Sequence, residues 1–415
     1  MPRFPHNTSL LIIFLTVFID LLGFGMVLPL LPIYADQFHA DTSGWLIGGL
    51  MASFSLMQFI FAPLWGRLSD HIGRRPVLMV GLAGSVVFYS LFGVATVMVS
   101  LPLLFAARIG AGIAGATIST AQAYIADSTS LTERPKGMAL IGMAFGLGFT
   151  FGPLLGYLAV PGGREAAPGP APGFVAAGLS AFALLLAFFR LPESLRPDGR
   201  STSRKILDLS ALRDALATPS ITPLLATIFV CVFAFANFET TLSMLIRGAR
   251  AADSPFKFSW GQVCLTFAYI GFTLALVQGG LVRRLAGRIN EAALAAAGAV
   301  AEVVGFGLIV AAIATESSGL LLGSLAVVVG GFAFMTPSLN SLLSRRTDPA
   351  KQGGILGVGQ SVNAMARILG SLVGIPLLKI QNTLPFYLAA AMMAAAVLLV
   401  MLAARAGKDF PAKAA

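Results

Sequence analysis

The sequence predicts an all-α membrane protein with twelve transmembrane helices. Of the 415 residues, 57% are hydrophobic and 11% are charged, whereas a soluble domain carries about 25% charged residues. A spanning helix needs about 20 predominantly apolar residues. Twelve such segments occur, near residues 9–34, 44–65, 77–98, 100–123, 137–159, 173–190, 222–246, 261–282, 291–314, 318–342, 354–378 and 383–404. They use most of the chain, so no sizeable soluble domain is expected.

The positive charge is distributed as in a membrane protein rather than a nucleic-acid-binding protein. The net charge is +10, and 21 of the 28 Lys and Arg residues lie in the even-numbered loops or at the termini. The other seven are on the opposite side (Arg164, Arg247, Arg250, Lys257 and Lys379) or inside spans (Arg108 and Arg367). The positive-inside rule then predicts that both termini are cytoplasmic. Weak attraction to anionic lipid is a side effect of this charge.

No cofactor, metal or covalent chemistry is predicted. The two cysteines, Cys231 and Cys264, both fall in predicted spans and provide neither a disulfide framework nor a zinc spacing. No G-x-x-x-x-G-K-S/T nucleotide loop occurs, which argues against ATP as an energy source. The first apolar stretch is too long for a signal-peptide core and is interpreted as a retained first span.

Internal similarity predicts two bundles of six helices. Residues 191–219 form the longest polar break on the predicted cytoplasmic side, so we expect bundles over 1–190 and 220–415 with this central loop between them. The segment Gly152–Gly156, G-P-L-L-G, recurs as G-S-L-V-G at Gly370–Gly374. Parallel repeats of this kind predict a binding site between the bundles near the midplane. Residues 161–172, rich in Pro and Gly, are expected to form a flexible connector on the other side.

A charged segment at residues 66–76, G-R-L-S-D-H-I-G-R-R-P, is expected to form a short loop at the membrane surface, with tight bends at Gly66 and Gly73. Asp70 and Arg74 are four residues apart, a spacing that brings two side chains together on a helical turn. The segment resembles the signature loop between the second and third spans of major facilitator transporters. A degraded copy without the aspartate occurs at 280–289.

The resemblance implies a major facilitator fold with a gate on the cytoplasmic side. In that gate Asp70, Arg74 and Asp127 form a charge cluster, and Asp70 meets the N-terminus of the eleventh helix. Closing this contact holds one state of the transporter and breaking it opens the other. The expected gating residues are Gly66, Asp70, Gly73, Arg74, Arg75 and Asp127.

Asp20 lies in the middle of the first span, in D-L-L-G-F-G-M-V-L-P-L-L-P. A carboxylate at that depth costs about 2.5–3.5 kcal/mol on insertion scales, so it should face protein or water. Binding and releasing a proton is one role, and a neutral carboxyl that fixes helix packing is the other. The stretch resembles a motif of the drug/proton antiporters of this superfamily.

Arg108 begins a stripe on one face of the fourth span, at helical offsets from Gly112, Gly115, Ser119 and Gln122. Small residues on this face permit close helix approach. The pattern is similar to an R-x-x-x-G motif of the same antiporters, which implies a link to proton transfer. Hydrogen bonding to backbone carbonyls is the structural alternative.

The fifth span contains G-x-x-x-G-P-x-x-G, made of Gly148, Gly152, Pro153 and Gly156. Three glycines at a spacing of four form a ridge, and the proline removes one helical hydrogen bond. The run resembles the antiporter motif, which is far less common in symporters and uniporters of the superfamily. The resemblance therefore favours exchange over uptake.

The second half contributes further polar residues inside spans. Glu239 in the seventh span is a second intramembrane acid and a candidate for proton coupling. Glu302 in the ninth span is a third, with a position near a turn or a pore wall as the alternative. The expected cavity residues are Gln58, Asn237, Gln360, Asn363 and Arg367. Interhelical hydrogen bonding explains each of these polar residues equally well.

Together these features favour a proton-coupled exporter of small, lipophilic molecules, similar to tetracycline/proton antiporters. Its expected partners are a small-molecule substrate, protons and the lipid bilayer, with no nucleic acid, and the resemblance implies a monomer in a bacterial inner membrane. Two alternatives remain: a symporter or facilitator of a small metabolite, and a non-transporting receptor or chaperone built on this fold. Ser371 in place of the motif proline is a departure in the second half.

Overall fold

A computed structural model describes residues 6–38, 41–129, 134–160, 169–195, 221–247, 254–285, 288–347 and 352–406. In this part of the chain the regular structure is helical. We number the helices α1 His6–Val27, α2 Leu31–Phe38, α3 Trp45–Ile72, α4 Arg74–Val97, α5 Leu101–Gly115, α6 Ile118–Ser128, α7 Arg134–Ala159, α8 Ala171–Arg190, α9 Thr222–Ile246, α10 Trp260–Leu276, α11 Glu291–Thr315, α12 Ser318–Arg345, α13 Gln352–Ile380 and α14 Leu384–Ala406.

The predicted twelve-helix membrane fold is confirmed. Among the described residues, twelve helical segments are long and apolar enough to cross a membrane. The fourth consists of α5 and α6 together, Leu101–Ser128, and the eighth covers Trp260–Leu285. In the eighth, α10 continues into a wider π-helical turn, Val277–Val282, and a last turn, Arg283–Leu285.

The first span ends earlier than the sequence pattern indicates. A continuous helix to residue 34 was expected, but α1 ends at Val27 and α2 begins at Leu31. Pro29 lies in the intervening turn and has no N–H to continue the helical ladder, whereas Pro32 sits in the first turn of α2, where a missing donor costs nothing.

The expected surface loop at 66–76 is instead almost entirely helical. Helix α3 continues to Ile72, α4 starts at Arg74, and only Gly73 leaves the helical conformation, at φ +107°. Since a helix satisfies its own backbone groups, its polar end can extend beyond the hydrocarbon without a loop. The prediction of a loop over the whole segment was wrong. Of the two predicted bends, the one at Gly73 is present, whereas Gly66 lies inside α3.

Two compact units are formed by the described residues. The first contains those within 1–41, 53–206 and 246–272, and the second those within 42–52, 207–245 and 273–415. In the first unit, Gly271 of α10 lies on the backbone of α7, since a Cβ atom there would be 2.6 Å from the Phe149 carbonyl oxygen. In the second, Gly48 of α3 lies equally close to the Leu372 carbonyl oxygen of α13.

Each unit contains a glycine-mediated helix crossing at corresponding positions of the two repeats. In the first unit a Cβ atom on Gly152 would be 2.7 Å from the Leu22 carbonyl oxygen, so α7 packs directly on α1. In the second, a Cβ atom on Gly370 would be 2.6 Å from the Phe233 carbonyl oxygen, so α13 packs on α9. The fifth span therefore meets the first in the same way as the eleventh meets the seventh.

The domain boundaries proposed from the sequence stay a prediction. Of the central loop 191–219, only residues 191–195 are described, and the rest lies outside the described residues. Of the expected connector 161–172, residues 161–168 likewise lie outside them, while Ala171 already begins α8.

Candidate functional site

A charge cluster forms where α3, α4 and α6 meet, around Arg74. The side chain of Arg74 is only 9% exposed, and its Nη1 lies 2.5 Å from Asp70 Oδ1 while its Nε lies 2.9 Å from Asp127 Oδ2. Nη1 also donates to the Ser69 hydroxyl at 2.7 Å. The structure thus brings together the three charged residues that the family resemblance groups as a gate.

Glu193 completes this cluster and was not singled out in the sequence. Its carboxylate accepts hydrogen bonds from the backbone N–H groups of Arg74 at 2.9 Å and Arg75 at 3.1 Å, and so caps the N-terminus of α4. It also accepts from the N–H groups of Ser194 and Leu195. The available signal was one acid directly after the sixth span, in L-P-E-S.

The remaining predicted gating residues surround the Arg74 cluster. Arg75 donates from Nη2 to the Phe188 carbonyl oxygen near the end of α8, at 2.5 Å. The Gly66 carbonyl oxygen accepts the Ser69 hydroxyl at 2.6 Å. A Cβ atom added to Gly66 would have 3.9 Å of space to Ser119 Oγ, so this glycine is not required by contact.

Asp20 is held by a hydroxyl group from another helix. Its Oδ1 accepts a hydrogen bond from the Ser180 hydroxyl of α8 at 2.8 Å, and Ser85 of α4 also bonds to its side chain. Asp20 as a whole residue is half-buried and lies near the middle of the first span, Ser9–Val27. Its carboxyl group is therefore positioned by two buried hydroxyl groups at the depth expected for a proton-binding residue.

Arg108 packs against aromatic rings of α1 and α3. Its guanidinium carbon lies 4.3 Å from the centroid of Phe54 and 5.5 Å from that of Phe24. Tyr89 of α4 interacts electrostatically with both Arg108 and Asp20, which places the two predicted proton-coupling residues of the first unit in one neighbourhood. Cation–π contact of this kind holds a cation where water is scarce.

The small-residue stripe predicted to follow Arg108 along the fourth span faces α3. A Cβ atom on Gly112 would be 2.7 Å from the Phe54 carbonyl oxygen. Gln58 donates to the Gly115 carbonyl oxygen at 3.4 Å, and the Ser119 hydroxyl donates to that of Ala62 at 3.1 Å. The roles of Gln58 in substrate binding and of Arg108 in proton coupling stay predictions.

Sequence reasoning missed Tyr89, Ser85 and Ser180 beside Asp20 and Arg108. Ser85 and Tyr89 are four residues apart and share a buried face of α4. A buried polar pair at helical spacing in an apolar span was the available signal.

The glycine ridge of α7 packs against α1. A Cβ atom on Gly25 would be 2.6 Å from the Gly148 carbonyl oxygen, and one on Gly156 would be 3.2 Å from Met26 Cγ. Pro153 lies inside α7, next to Gly152 at the crossing described above. The helix bearing Asp20 is therefore held directly by the segment that resembles the antiporter motif.

In the second unit, Glu239 of α9 and Arg367 of α13 form an ion pair. Arg367 Nη2 lies 3.2 Å from Glu239 Oε2, with the arginine side chain 38% exposed and the glutamate 12% exposed. Asn363 is half-buried and Gln360 exposed, at offsets that place them on the Arg367 face of α13. The structure thus groups four of the predicted second-half residues.

Two other polar residues of this unit are fully buried. Asn237 donates from Nδ2 to the Pro385 carbonyl oxygen at 3.1 Å. A Cβ atom added to Gly374 would lie only 2.6 Å from Asn237 Oδ1. Glu302 lies in the middle of α11, and within the described residues neither of its carboxyl oxygens has a hydrogen-bond partner. Of the two alternatives for Glu302, the position near a turn or pore wall differs from this buried position against Gly331.

An aromatic and charged cluster of the first unit lies where the eighth span begins, at Trp260. Tyr34 and Trp260 have ring centroids 5.4 Å apart, and the guanidinium carbon of Arg247 lies 4.6 Å from the Trp260 ring centroid. Burial raises the pKa of the Tyr34 phenol and lowers the pKa of the Arg247 guanidinium. This cluster joins α2 to the start of α10.

Metal chemistry finds no support in the described part of the chain, where no group of three or more His, Cys, Asp and Glu side chains could hold an ion.

Comparison with known proteins gives a single family. Residues 13–371 match the family model described as the Major Facilitator Superfamily. The chain is 31% identical to the tetracycline resistance protein, class C, of Escherichia coli over 369 residues, covering 88% of this chain and 89% of that protein. It is 32% identical to the mouse (Mus musculus) major facilitator superfamily domain-containing protein 10, over 88% of this chain and 86% of that one.

Solved structures agree with the sequence relatives. The crystal structure of the human organic anion transporter MFSD10 (TETRAN) is 29% identical and superposes with a TM-score of 0.71, over 96% of this chain and 100% of that one. A D-xylose-proton symporter reaches a TM-score of 0.76 at 18% identity, over 95% of this chain and 97% of that one, and shows the fold alone.

Proposed function

Because the chain belongs to the major facilitator superfamily, we propose that it exports small, lipophilic molecules in exchange for protons by alternating access. Members of this superfamily are multi-pass membrane transporters and not enzymes, so the chain is a transporter. The nature of its substrate and its proton coupling are the parts that we propose.

One observation carries the proposal of proton exchange. Helix α1 bears the hydroxyl-bound carboxyl of Asp20 and, five residues further on, Gly25, which lies against Gly148 of the antiporter-like segment. Helix α1 therefore carries the proposed proton-binding residue and also packs against the antiporter-like segment of α7. A change in the charge of Asp20 can alter how α1 packs on α7.

In the proposed cycle, Asp20, Arg108 and Glu239 couple proton binding to transport. Protonation of Asp20 or Glu239 competes with substrate binding, and inward proton flow then drives export. Substrate contacts are assigned to Gln58, Gln360, Asn363 and Arg367. The fifth predicted residue, Asn237, is buried and bonded to Pro385, so its contact with substrate would require the helices to move.

The Arg74 cluster is proposed to act as the gate on the cytoplasmic side, together with Gly66, Gly73 and Arg75. A buried network of ion pairs suits a two-state contact, because half-broken arrangements leave a buried charge without its partner. The proposal includes cytoplasmic termini, a monomer and the bacterial inner membrane.

The names of similar proteins support a small organic molecule as the substrate. They are tetracycline resistance proteins and an organic anion transporter, and both names concern small organic molecules. We therefore propose drug or tetracycline-like substrates for this chain.

The test is proton movement in inside-out vesicles energised by respiration, with tetracyclines and a panel of lipophilic cations and anions added. We expect proton release from the lumen on substrate addition. Asp20→Asn, which keeps the shape of the side chain but cannot ionise, is expected to reduce this release to background. Glu316→Gln, an exposed acid between α11 and α12, is the matched control and should leave it unchanged. Release that persists in Asp20→Asn would refute the assigned role of Asp20.

The half-exposed Arg367 favours a second candidate, proton-coupled symport of a small metabolite anion. A symporter moves the proton in the same direction as its substrate, whereas an exchanger moves it in the opposite direction. Proton uptake rather than release on substrate addition in the same vesicles would select symport.

A further inference from the structure

The Glu239–Arg367 ion pair is asymmetric in its exposure. The two side chains meet through one contact, Nη2 to Oε2 at 3.2 Å, with 38% of the Arg367 side chain exposed but only 12% of Glu239. Within the described residues, no other hydrogen bond engages the Arg367 guanidinium. The cation of this pair is therefore the member that an approaching molecule meets.

The position of Arg367 shows what kind of space it faces. It lies at the centre of the eleventh span, Ile355–Ile380. An exposed guanidinium facing hydrocarbon at that depth is strongly unfavourable, and charged side chains there face a bundle interior or a water-filled cavity. The exposed part of Arg367 consequently lies in a space that solvent and solutes can enter.

The rest of this helix face consists of uncharged amides. Asn363 lies one turn before Arg367 and Gln360 two turns before it, and among the described residues neither side chain forms a hydrogen bond. Amides can donate to acidic oxygens or accept from hydroxyls. By contrast, Asn237 on the neighbouring helix is already engaged with Pro385 and is buried. The open polar face therefore presents one cation and two flexible amides.

We propose that Arg367 binds an acidic two-oxygen group, such as a carboxylate, of an amphiphilic organic anion, and that Glu239 is the internal competitor which this group displaces. A planar guanidinium fork matches such a group with two parallel hydrogen bonds. A cation is disfavoured because it would have to displace Arg367 from the less exposed Glu239. The inference rests on the proposed function only in assuming that this site carries a small organic solute. It assigns the competition between proton and substrate to Asp20 rather than Glu239, because a neutral Glu239 would release Arg367 for the anion.

The test is equilibrium binding of radiolabelled 2-naphthoate and its neutral analogue 2-naphthamide to the purified full-length protein in lipid nanodiscs. The two probes share the aromatic body and differ in charge. Wild type is expected to prefer the acid by about tenfold or more, as for a charged hydrogen bond. Arg367→Gln should bind both probes equally, while Arg367→Lys, which keeps the charge without the fork, should keep part of the preference.

Glu239→Gln provides a test that does not depend on removing the binding group. Because the internal competitor loses its charge, this variant should bind 2-naphthoate several-fold more tightly than wild type and 2-naphthamide unchanged. Arg405→Gln, an exposed arginine at the end of α14, is the matched control and should behave as wild type.

Equal binding of acid and amide by wild type, or a preference for the acid that persists in Arg367→Gln, would overturn the assignment. Weaker acid binding by Glu239→Gln would also contradict it. Absence of substrate-driven proton release, with this binding pattern intact, would count against the proposed exchange alone. The two proposals can thus fail separately.

Discussion

At the residue scale, the bend between α3 and α4 depends on two residues that fit one another. Gly73 adopts φ +107°, a conformation that residues with a Cβ atom rarely occupy. A Cβ atom at this position would also collide with the Glu193 carboxylate that caps α4. The charged motif predicted the bend, but Glu193 was not predicted because 119 residues separate it from Arg74, and spacing alone gives no sign of so distant a partner.

Gly73→Ala is expected to destabilise the protein by about 1–3 kcal/mol, since the alanine must either strain its backbone or push Glu193 from the helix N-terminus. The measurement is the thermal unfolding midpoint of the purified protein in detergent. Gly178→Ala is the control, because that glycine lies within α8 with open space around it. Equal midpoints for the two variants would contradict the fit between Gly73 and Glu193.

At the element scale, the crossing of α7 on α1 shows what helical periodicity can and cannot predict. The spacing of Gly148, Gly152 and Gly156 correctly predicted a ridge on one face of the fifth span. Periodicity identifies the residues that share a face but not the helix that packs against it, so the partner Gly25 on α1 came only from the structure. The same limit applies to Asp20, whose depth was predicted but whose Ser180 partner on α8 was not.

Gly152→Ala is expected to separate α7 from α1, because its Cβ atom would lie 2.7 Å from the Leu22 carbonyl oxygen, which cannot move without the whole of α1. Overpacking of this kind costs about 1–3 kcal/mol. Substrate-driven proton exchange should fall together with the unfolding midpoint.

Gly142→Ala, on the same helix but with no atom within 4 Å, is the matched control and should be neutral or slightly stabilising. A Gly152→Ala protein that equals Gly142→Ala in both stability and proton exchange would disprove the contact.

At the scale of the whole molecule, each unit has an ion pair at the corresponding place, with the charges exchanged. In the first unit Arg74 begins the third span and pairs with Asp127 at the end of the fourth. In the second unit Glu291 begins the ninth span and pairs with Arg345 at the end of the tenth, at 2.7 Å. Two further arginines donate to carbonyl oxygens near the ends of the sixth and twelfth spans, Arg75 to Phe188 and Arg346 to Ala403.

The duplication was visible in the sequence, but this exchange of charges was not. The degraded copy at 280–289 correctly indicated that the second half lacks the aspartate. Its ion pair lies outside that copy, because Glu291 and Arg345 are outside the residues that align with the motif. Sequence similarity between the two repeats cannot reveal an ion pair that occurs in both with the charges exchanged.

The two ion pairs differ in how their charges interact with the helix dipoles. Removing each pair should therefore change the stability of the protein by a different amount. Glu291 lies in the first turn of α11 and Arg345 in the last turn of α12, where the helix dipoles favour those charges. Arg74 lies in the first turn of α4 and Asp127 in the last turn of α6, where the helix dipoles oppose those charges. The first pair therefore depends on its own ion pairs and on Glu193. Burial strengthens this dependence, since the side chain of Arg74 is 9% exposed and that of Arg345 50%.

Arg74→Gln is therefore expected to cost about 1–3 kcal/mol, because it leaves Asp70 and Asp127, whose side chains are 33% and 29% exposed, without their cation. Arg345→Gln should cost at most about 1 kcal/mol, as for exposed ion pairs. Unfolding midpoints of both variants in detergent at low and high salt measure the difference, and salt should weaken only the second pair. Adding Asp127→Asn to Arg74→Gln should recover part of the loss, since it removes one of the stranded charges. Similar losses for both single variants would contradict the claim that the more buried pair contributes more to stability.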